Sequence, residues 1–401
     1  MQPLTLVEYQ SCSSVPLTLE QLDELRRVAP SVDVSPTPGR TDHYELRPGS
    51  FVGAVNLPGL AIEIQPKIPI DRLLFLISYV LGHRKWQEVP FDLEQAPSLV
   101  EAIVPGFVAQ VRRAFQRGVL QGYRVEETAL QTIRGRVRFD DQLRSRYGRF
   151  PPAEVRYDDY TEDIEENRVL KAAFHRLGRL RLRSQETRRA LRSFDEALAS
   201  VRPVEYDARQ LPTIAWTRLN ERYRPAVELA LLILRATSFD TRHGAVAASS
   251  FLLDMNQVFE DFVTLALRDQ LRLSERAFPQ GNQGRQLRLD AAGRVRLLPD
   301  LSWWEAGRCV FVGDAKYKRI EDNVKHADLY QLLAYTIATD LPGGLLIYAD
   351  GADASHTIVN LGKLLDIATL DLSGTPDDVL GQIAGIARRI RMLRQSIVEA
   401  A

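Results

Sequence analysis

The sequence has only two cysteines, Cys12 and Cys309, which lie far apart and have no metal-ligand pattern around them. Such sparse cysteines argue against a disulfide framework and against a structural zinc site, and they are typical of a reducing compartment. The six histidines are also dispersed along the chain, so no histidine-type zinc motif is present. We therefore expect neither disulfides nor zinc.

Long apolar segments are missing as well. The longest apolar runs, LLFLISYVLG and VELALLIL, are much shorter than the roughly 20 residues that a membrane-spanning helix needs. The first residues, MQPLTLVEYQ, lack the basic region followed by an apolar region that marks a secretory signal peptide. The sequence therefore predicts a cytoplasmic protein without a membrane partner.

Two common catalytic motifs are absent from the sequence. No segment matches G-x-x-x-x-G-K-[ST], the glycine-rich loop that cradles nucleotide phosphates, and none matches the G-x-S-x-G nucleophile motif. The chain is therefore not expected to hydrolyse a nucleotide through a loop of this kind.

The sequence also has no net charge, because its 52 Lys and Arg residues balance its 52 Asp and Glu residues. The charges are nevertheless segregated along the chain. Residues 112–149 carry ten arginines and four acids, residues 154–166 carry seven acids and one arginine, and residues 176–192 carry seven arginines and one acid. Such segregation suits a surface that binds phosphates. The alternative, helix and strand faces simply solvated by arginine, remains open.

The length of 401 residues predicts two or three domains. Residues 1–66 alternate short apolar runs with Pro and Gly turn signals, which predicts a β-rich N-terminal module. Residues 67–240 form a mixed central region with predicted helices near 70–82, 99–117, 163–198 and 217–236. Residues 241–401 follow a helix–strand order that predicts a central mixed sheet flanked by helices. The fold class expected is α/β (α+β) and multidomain.

Two aspartates and a lysine, Asp300, Asp314 and Lys316, stand among apolar residues in the segment LLPDLSWWEAGRCVFVGDAKYK, residues 297–318. The segment EAGR, residues 305–308, predicts the turn of a hairpin. If the hairpin is symmetric, Asp300 faces Gly313, immediately beside Asp314. The alternation of side chains along a strand places Asp314 and Lys316 on one face. We therefore expect two carboxylates and an ammonium to converge at one sheet edge.

Converging carboxylates repel each other unless a cation lies between them, and hard oxygen ligands favour Mg²⁺ or Mn²⁺. A metal ion held by Asp300 and Asp314 would bind a scissile phosphate and lower the pKa of a bound water. Lys316 would orient that water or stabilise the added negative charge of the transition state. These residue types suit phosphodiester hydrolysis. The alternative is an Asp–Lys ion pair on an exposed sheet end.

The order Asp300, then Asp314-Ala315-Lys316 after an apolar strand, resembles the PD-(D/E)XK nuclease signature. The wider context resembles the McrC family, the nuclease subunit of modified-cytosine restriction systems. The segments that carry this resemblance, over roughly residues 67–350, are IRGRVRF, EENRVLKAAFHRL, DMNQVFEDFV, DAKYK, DLYQLLAY and GGLLIYAD. Residues 1–66 are less diagnostic and are interpreted as a lineage-dependent module.

The resemblance implies a C-terminal restriction-endonuclease-like domain in which Asp300 and Asp314 are metal ligands and Lys316 is the catalytic lysine. It further implies that Glu260, on the helix before the strands, completes the catalytic and metal site. For Glu260 a solvated position beside the apolar stripe is an equal alternative.

The resemblance also implies residues that position DNA. Gln331 and Tyr335 lie one helical turn apart and resemble the Gln-xxx-Tyr element of RecB-like nucleases, with packing and capping as alternatives. Lys318 is a candidate phosphate contact, with an ordinary surface position as its alternative.

The resemblance implies a partner as well as an activity. Relatives work with an AAA+ GTPase of the McrB type, which reads modified double-stranded DNA and uses the GTP, so this chain would use Mg²⁺ but not GTP. The central region 67–240 would dock onto the partner and stimulate its GTPase, and the arginine-rich segment 134–149 is a candidate for contacting the ring or DNA. Two alternatives stay open: a non-cleaving assembly or GTPase-activating subunit, and a stand-alone DNA-processing nuclease.

Overall fold

The computed structural model describes residues 3–81, 99–180, 182, 184–208, 210–242, 245–281, 286–319 and 326–398. The chain forms two compact units. The first unit combines Met1–Val89 with Leu252–Ala401, and the second unit is Pro90–Phe251. The first unit therefore joins the ends of the chain, which the sequence analysis assigns to separate domains.

The N-terminal part of the first unit is β-rich, as the sequence predicts, but it also contains a helix that we did not predict. Its elements are β1 Leu4–Val7, β2 Cys12–Pro16, α1 Leu19–Val28, β3 Asp33–Pro36, β4 His43–Arg47, β5 Phe51–Leu57, β6 Leu60–Gln65 and α2 Ile70–Val80. Strand β6 pairs with β1 in parallel and with β5 in antiparallel orientation. Helix α1 begins with a capping box, in which Thr18 and Gln21 each bond the other's main-chain amide.

The second unit packs helices around an aromatic core and also carries a small sheet. Its elements are α3 Leu99–Phe115, β7 Gly122–Leu130, β8 Arg136–Val137, α4 Phe139–Arg146, β9 Ala153–Thr161, α5 Glu165–Gly178, α6 Gln185–Ala197, α7 Arg224–Ala236, β10 Thr237–Arg242 and β11 Ala245–Asp254, whose end from Leu252 belongs to the first unit. The ring centroid of Phe174 lies 5.4 Å from that of Phe107 and 5.9 Å from that of Phe194. The sheet has the order β7-β9-β8 and is antiparallel.

The C-terminal part of the first unit is built on a five-stranded mixed sheet. Its elements are α8 Met255–Leu271, β12 Leu287–Arg288, β13 Arg296–Leu297, β14 Leu301–Glu305, β15 Arg308–Arg319, α9 His326–Ala338, β16 Gly343–Asp350, β17 Ala354–Thr357, β18 Leu364–Thr369 and α10 Pro376–Val398. The strand order is β14-β15-β16-β18-β17, with β15, β16 and β18 parallel and the two edge strands antiparallel.

Helices cover this sheet. Leu332 and Tyr335 of α9 join a buried cluster with Val312 and Leu346 of the sheet, and α8 and α10 also contact β15. The mixed α/β architecture predicted from the sequence is confirmed at this level. Within the described part of the chain, no helix is both long and apolar enough to cross a membrane.

Candidate active site on the β14–β15 hairpin

The turn of the hairpin lies where the sequence predicts it. Glu305 pairs with Arg308, and the two residues between them, Ala306 and Gly307, have positive φ angles of 46° and 86°. A two-residue turn of this kind matches the twist of the flanking strands, and glycine adopts the second position without strain.

The register of the hairpin differs from the prediction by one residue. A shift occurs between Trp303 and Trp304, because β15 contains Val310 as an extra, unpaired residue. Leu301 therefore lies opposite Gly313, the position that a symmetric hairpin gives to Asp300. The prediction of that pairing is wrong. A β-bulge of this kind depends on packing around the strand, and the sequence carries no signal for it comparable to the residues that mark a turn.

The bulge brings Asp300 level with Asp314. The main-chain amide of Asp300 lies 3.5 Å from Oδ1 of Asp314, and the main-chain amide of Ala315 donates to Oδ2 of Asp300 at 3.1 Å. Asp314 is completely buried at 0% exposed, whereas Asp300 is partly exposed. The two carboxylates thus converge, one of them closed off from solvent and the other open to it.

Lys316 completes the cluster. Its ammonium forms an ion pair with Asp314, and Nζ lies 3.9 Å from Oδ2 of Asp300. The structure therefore places Asp300, Asp314 and Lys316 together, with the ammonium near both carboxylates.

Burial dominates the electrostatics of the cluster. It raises the pKa of Asp314, the negative charge of Asp300 raises it further, and Lys316 opposes both effects. Burial likewise raises the pKa of Asp300, opposed by its hydrogen bonds and by Lys316. The pKa of Lys316 is raised, because the attraction of Asp314 and Asp300 exceeds the lowering by burial. The site therefore disfavours two bare carboxylate charges and favours cations.

Glu260 of α8 approaches the same cluster. Burial, followed by the charges of Asp261 and Asp314, raises its pKa to about 7. Its carboxylate occupies the space beside Gly281, where an added Cβ would overlap Oε1 of Glu260 and would lie 3.5 Å from Cα of Asp300. Gly281 thus admits the third carboxylate. We did not single it out, because a glycine in the segment QGNQGR has the pattern of a turn.

Gln331 and Tyr335 are hydrogen-bonded to each other on α9. Nε2 of Gln331 donates to the Tyr335 hydroxyl at 2.6 Å, and that hydroxyl donates to the carbonyl of Leu298 at 3.0 Å. Burial raises the pKa of Tyr335, and the charge of Asp314 raises it further. Tyr335 is buried, so its contacts are those of packing near the site, whereas Gln331 remains partly exposed.

Lys318 is engaged by a neighbouring acid. Its Nζ lies 2.5 Å from Oδ2 of Asp328, which also accepts a 2.6 Å hydrogen bond from the Tyr348 hydroxyl. The structure therefore places Lys318 in a pair that joins β15 to α9, and Asp328 is a residue of this pair that the sequence analysis missed.

The donor set fits one class of metal ion. Magnesium keeps several waters and is held in proteins by one or two carboxylates together with substrate phosphates. Asp300 and Asp314 supply such a pair. Among the residues that the structure describes, no three His, Cys, Asp or Glu side chains are arranged to hold a metal ion without further movement. The cluster thus fits a hydrated Mg²⁺ or Mn²⁺ better than an ion enclosed by protein ligands.

Comparisons with known proteins identify the family of the chain. The model of a family described as "McrBC 5-methylcytosine restriction system component" matches residues 46–349. A solved half-complex from a tetradecameric assembly of Thermococcus gammatolerans McrB AAA+ hexamers with bound McrC contains a similar chain, with a TM-score of 0.53 and 17% identity, covering 97% of this chain and 100% of that one. No curated protein matches.

A cryo-EM structure of the Thermococcus gammatolerans McrBC complex is also similar, with a TM-score of 0.41 and 19% identity over 67% of this chain and 88% of that one. The class defined by the family match is that of restriction-system components. The chain belongs to the McrBC 5-methylcytosine restriction system component family, and the predicted resemblance to McrC is confirmed.

Proposed function

We propose that the chain is the metal-dependent endonuclease subunit of an McrBC-like, modification-dependent restriction system. The observation that carries the proposal is the convergence of Asp300, Asp314 and Lys316 on one hairpin. Two carboxylates and a lysine at the edge of a mixed sheet suit the PD-(D/E)XK type of phosphodiester hydrolysis, and the family membership supports DNA as the substrate.

Each residue of the cluster has a chemical role in this proposal. Asp300 and Asp314 would hold Mg²⁺, with Mn²⁺ as a substitute, and Glu260 would supply a third carboxylate to the site. When bound, the ion supplies Lewis acidity toward the scissile phosphate and a lowered pKa for water. The Lys316 ammonium orients the attacking water and stabilises the negative charge that develops on the phosphate.

The residues of α9 and β15 would position DNA in front of the cluster. Gln331, partly exposed and fixed by Tyr335, presents an amide to the substrate strand. Lys318 follows Lys316 by two positions on the same strand, which corresponds to roughly 6.6 Å along the backbone. We propose that it exchanges its pairing with Asp328 for a neighbouring phosphate.

The catalytic assignment is tested with the Lys316→Ala variant in complex with its partner GTPase, GTP and Mg²⁺, acting on plasmid DNA that carries 5-methylcytosine. The variant should assemble with the partner but leave the DNA uncut. Arg308→Ala is the matched control, because it removes an exposed cation from the other end of β15. Full cleavage by Lys316→Ala would refute the assignment and would leave an assembly or GTPase-activating role.

We further propose that the chain works with an AAA+ GTPase of the McrB type, which uses GTP. The solved chain with a similar fold lies in a half-complex of McrB hexamers with bound McrC. Helix α4 of the second unit supports the proposal. It has no buried residue, so its side chains are accessible to a partner. The exposed large apolar side chains between β7 and β9 in the sequence are Tyr123, Val125, Ile133, Phe139, Leu143, Tyr147, Phe150 and Tyr160. The ring centroids of Tyr123 and Tyr160 lie 5.0 Å apart. Exposed apolar patches mark binding surfaces.

Replacement of exposed apolar residues tests the partner assignment. The double variant Phe139→Ser, Tyr147→Ser should keep its thermal stability, because both side chains are exposed, but should no longer bind or stimulate the GTPase. Leu219→Ser is the control, since Leu219 is equally exposed elsewhere in the second unit. Cleavage of DNA by the chain without any GTPase would favour a stand-alone nuclease.

A further inference from the structure

Glu8 and Tyr9 form a turn directly after β1 whose backbone is held in place. The amide of Glu8 donates to the carbonyl of Gln65 at 3.1 Å, and the amide of Tyr9 donates to the carbonyl of Gly49 at 2.9 Å. Tyr9 has a φ of 61°, in the left-handed region. A bulky side chain is strained there and persists only where the surrounding structure imposes it, which is a common sign of a functional position.

Glu8 contacts the strand that carries the catalytic lysine. Its side chain is 0% exposed, and Oε1 accepts hydrogen bonds from the Tyr317 hydroxyl at 2.7 Å and from the amide of Lys67 at 2.6 Å. Tyr317 directly follows Lys316. The direction of the Tyr317 side chain is therefore fixed by an acid 309 residues away in the chain.

The ring of Tyr317 also contacts the helix that carries Glu260. Its centroid lies 5.8 Å from that of Phe259, which directly precedes Glu260. Tyr317 and Phe259 are thus the sequence neighbours of two site residues, and their packing joins β15 to α8.

Tyr9 bridges the same two elements. Its hydroxyl lies 3.2 Å from Oδ1 of Asn256, in the first turn of α8, and 3.3 Å from the carbonyl of Tyr317. Ser50 supports the start of the helix from the same side, because its carbonyl accepts from the amide of Met255 and its hydroxyl donates to Asp254, both at 2.9 Å. The N-terminal segment therefore holds β15 and α8 together at the ends nearest the cluster.

A purely mechanical contact does not require a carboxylate at this place. Burial raises the pKa of Glu8, and its Oε2 has no hydrogen-bond partner in the described part of the chain. Apolar side chains of similar volume usually stabilise a core at least as well as a buried polar group. The Glu8 carboxylate supplies directional hydrogen bonds. Its Oε1 fixes the orientation of both the Tyr317 hydroxyl and the main-chain amide of Lys67.

We propose that Glu8 and Tyr9 are positioning residues for the nuclease site, holding β15 against α8 so that Lys316 and Glu260 keep their places. The proposal rests on the proposed function for its effect on cleavage. The proposal also gives residues 1–66 a structural role in positioning the nuclease site.

The test uses Tyr317→Phe, which removes only the hydroxyl and keeps the ring on Phe259. In the complete complex with GTP and Mg²⁺, acting on 5-methylcytosine plasmid DNA, kcat should fall about 10- to 100-fold, as for other residues that orient metal-site ligands. The KM for DNA should change by less than about twofold, because no contact with the substrate is lost. Tyr79→Phe is the matched control, since it removes a 3.0 Å hydroxyl bond to Asp269 at the other end of α8 and should leave kcat unchanged.

Replacement of Glu8 by glutamine tests whether the hydrogen bonds of Glu8 or its negative charge position the site. Glu8→Gln retains an oxygen for both donors and should keep kcat within about threefold of the wild type, whereas Glu8→Ala should match Tyr317→Phe. The double variant Glu8→Ala, Tyr317→Phe should be no slower than Glu8→Ala alone, because Glu8→Ala already removes the hydrogen bond that Tyr317→Phe removes.

Amide hydrogen exchange of residues 308–319 in the chain alone provides a readout that does not depend on cleavage. Exchange should be faster in Tyr317→Phe than in the wild type and in Tyr79→Phe. If the wild-type complex does not cut DNA, the proposed function fails, yet the exchange result still decides whether the turn holds β15. Wild-type kcat and wild-type exchange in Tyr317→Phe would overturn the proposal, as would an equal loss of kcat in Tyr79→Phe.

Discussion

The amide of Ala315 donates a hydrogen bond to the carboxylate of Asp300, and this bond ties the start of β14 to the strand that carries Lys316. The Asp300 side chain therefore makes a hydrogen bond within the hairpin and also contributes one charge to the cluster. A mutation can remove the charge and keep the hydrogen bond.

Asp300→Asn should keep the fold and lose cleavage. An amide oxygen can still accept from Ala315, but the charge that attracts a metal ion is gone, so cleavage should fall at least about 100-fold, or about 2.7 kcal/mol in barrier. Because burial raises the pKa of Asp300, the neutral residue should also raise the Tm of the metal-free protein. Plasmid cleavage and thermal unfolding check both effects. Undiminished cleavage would remove Asp300 from the site.

Gly281→Ala should displace the Glu260 carboxylate without unfolding the protein. The added methyl group overlaps the far end of a flexible side chain, so the free energy of unfolding should change by less than about 1 kcal/mol. Cleavage should fall about tenfold or more, since small displacements of catalytic groups have large effects.

Two further variants check the cause of that loss. Gly381→Ala, where an added Cβ meets nothing within 4 Å, should leave cleavage unchanged. In a Glu260→Ala background, Gly281→Ala should have no further effect, because the side chain that it displaces is absent. Additive losses would show that Gly281 acts through another group.

Gln331 and Tyr335 should separate into a substrate contact and a packing residue. Tyr335→Phe removes the 3.0 Å bond to the Leu298 carbonyl and should lower the free energy of unfolding by about 1 kcal/mol. Gln331→Ala, in a partly exposed position, should change stability by less than about 0.5 kcal/mol but weaken DNA binding. Urea denaturation and a DNA-binding titration measure the two effects. Unchanged DNA affinity in Gln331→Ala would leave this pair with packing alone.

Asp163 should stabilise the second unit in a pH-dependent manner. Hydrogen bonds from Arg168, together with the charges of Arg168 and Arg124, lower its pKa below the ordinary value of 3.8. A lowered pKa means that the stabilisation is present above pH 3.8 and is lost as the pH falls through the folded-state value. Asp163→Asn should therefore lower the free energy of unfolding by about 2 kcal/mol at pH 7, a moderate value because its arginine partners are partly exposed.

The difference between the wild type and Asp163→Asn should shrink as the pH falls below 3.8, where the carboxylate of the unfolded chain is already protonated. Urea denaturation at pH 7 and pH 3 measures it. A difference that stays constant over this range would mean that the arginine contacts act through packing rather than through charge.

Local patterns in the sequence predicted much of the fold. The amphipathic spacing of α8 and the apolar stretches of α2 and α3 gave helices at the observed places, with ends that differ by a few residues. The apolar residues just before α8 belong to a strand, because Phe251–Asp254 continue β11 and the side chain of Asp254 caps the helix at Met255. Helix α4 was not predicted, since it spans only eight residues and its two apolar residues, Phe139 and Leu143, are too few to show a helical period.

The site was predictable where its residues lie close in sequence. Alternation along β15 was enough to place Asp314 and Lys316 on one face. The bulge at Val310, the space beside Gly281 and the contact of Glu8 with Tyr317 were not predictable, because each depends on segments that meet only in the folded chain.

The unit that carries Asp300, Asp314 and Lys316 is made from both ends of the chain, with residues 90–251 inserted between them. During synthesis the ribosome releases the β1 turn first and the β15 strand only after about three quarters of the message has been translated, and domains generally fold as they emerge. The hydrogen bond between Glu8 and Tyr317 can therefore form only after the whole inserted unit has been synthesised. A chain released prematurely, before α8 and β15, carries none of the three cluster residues.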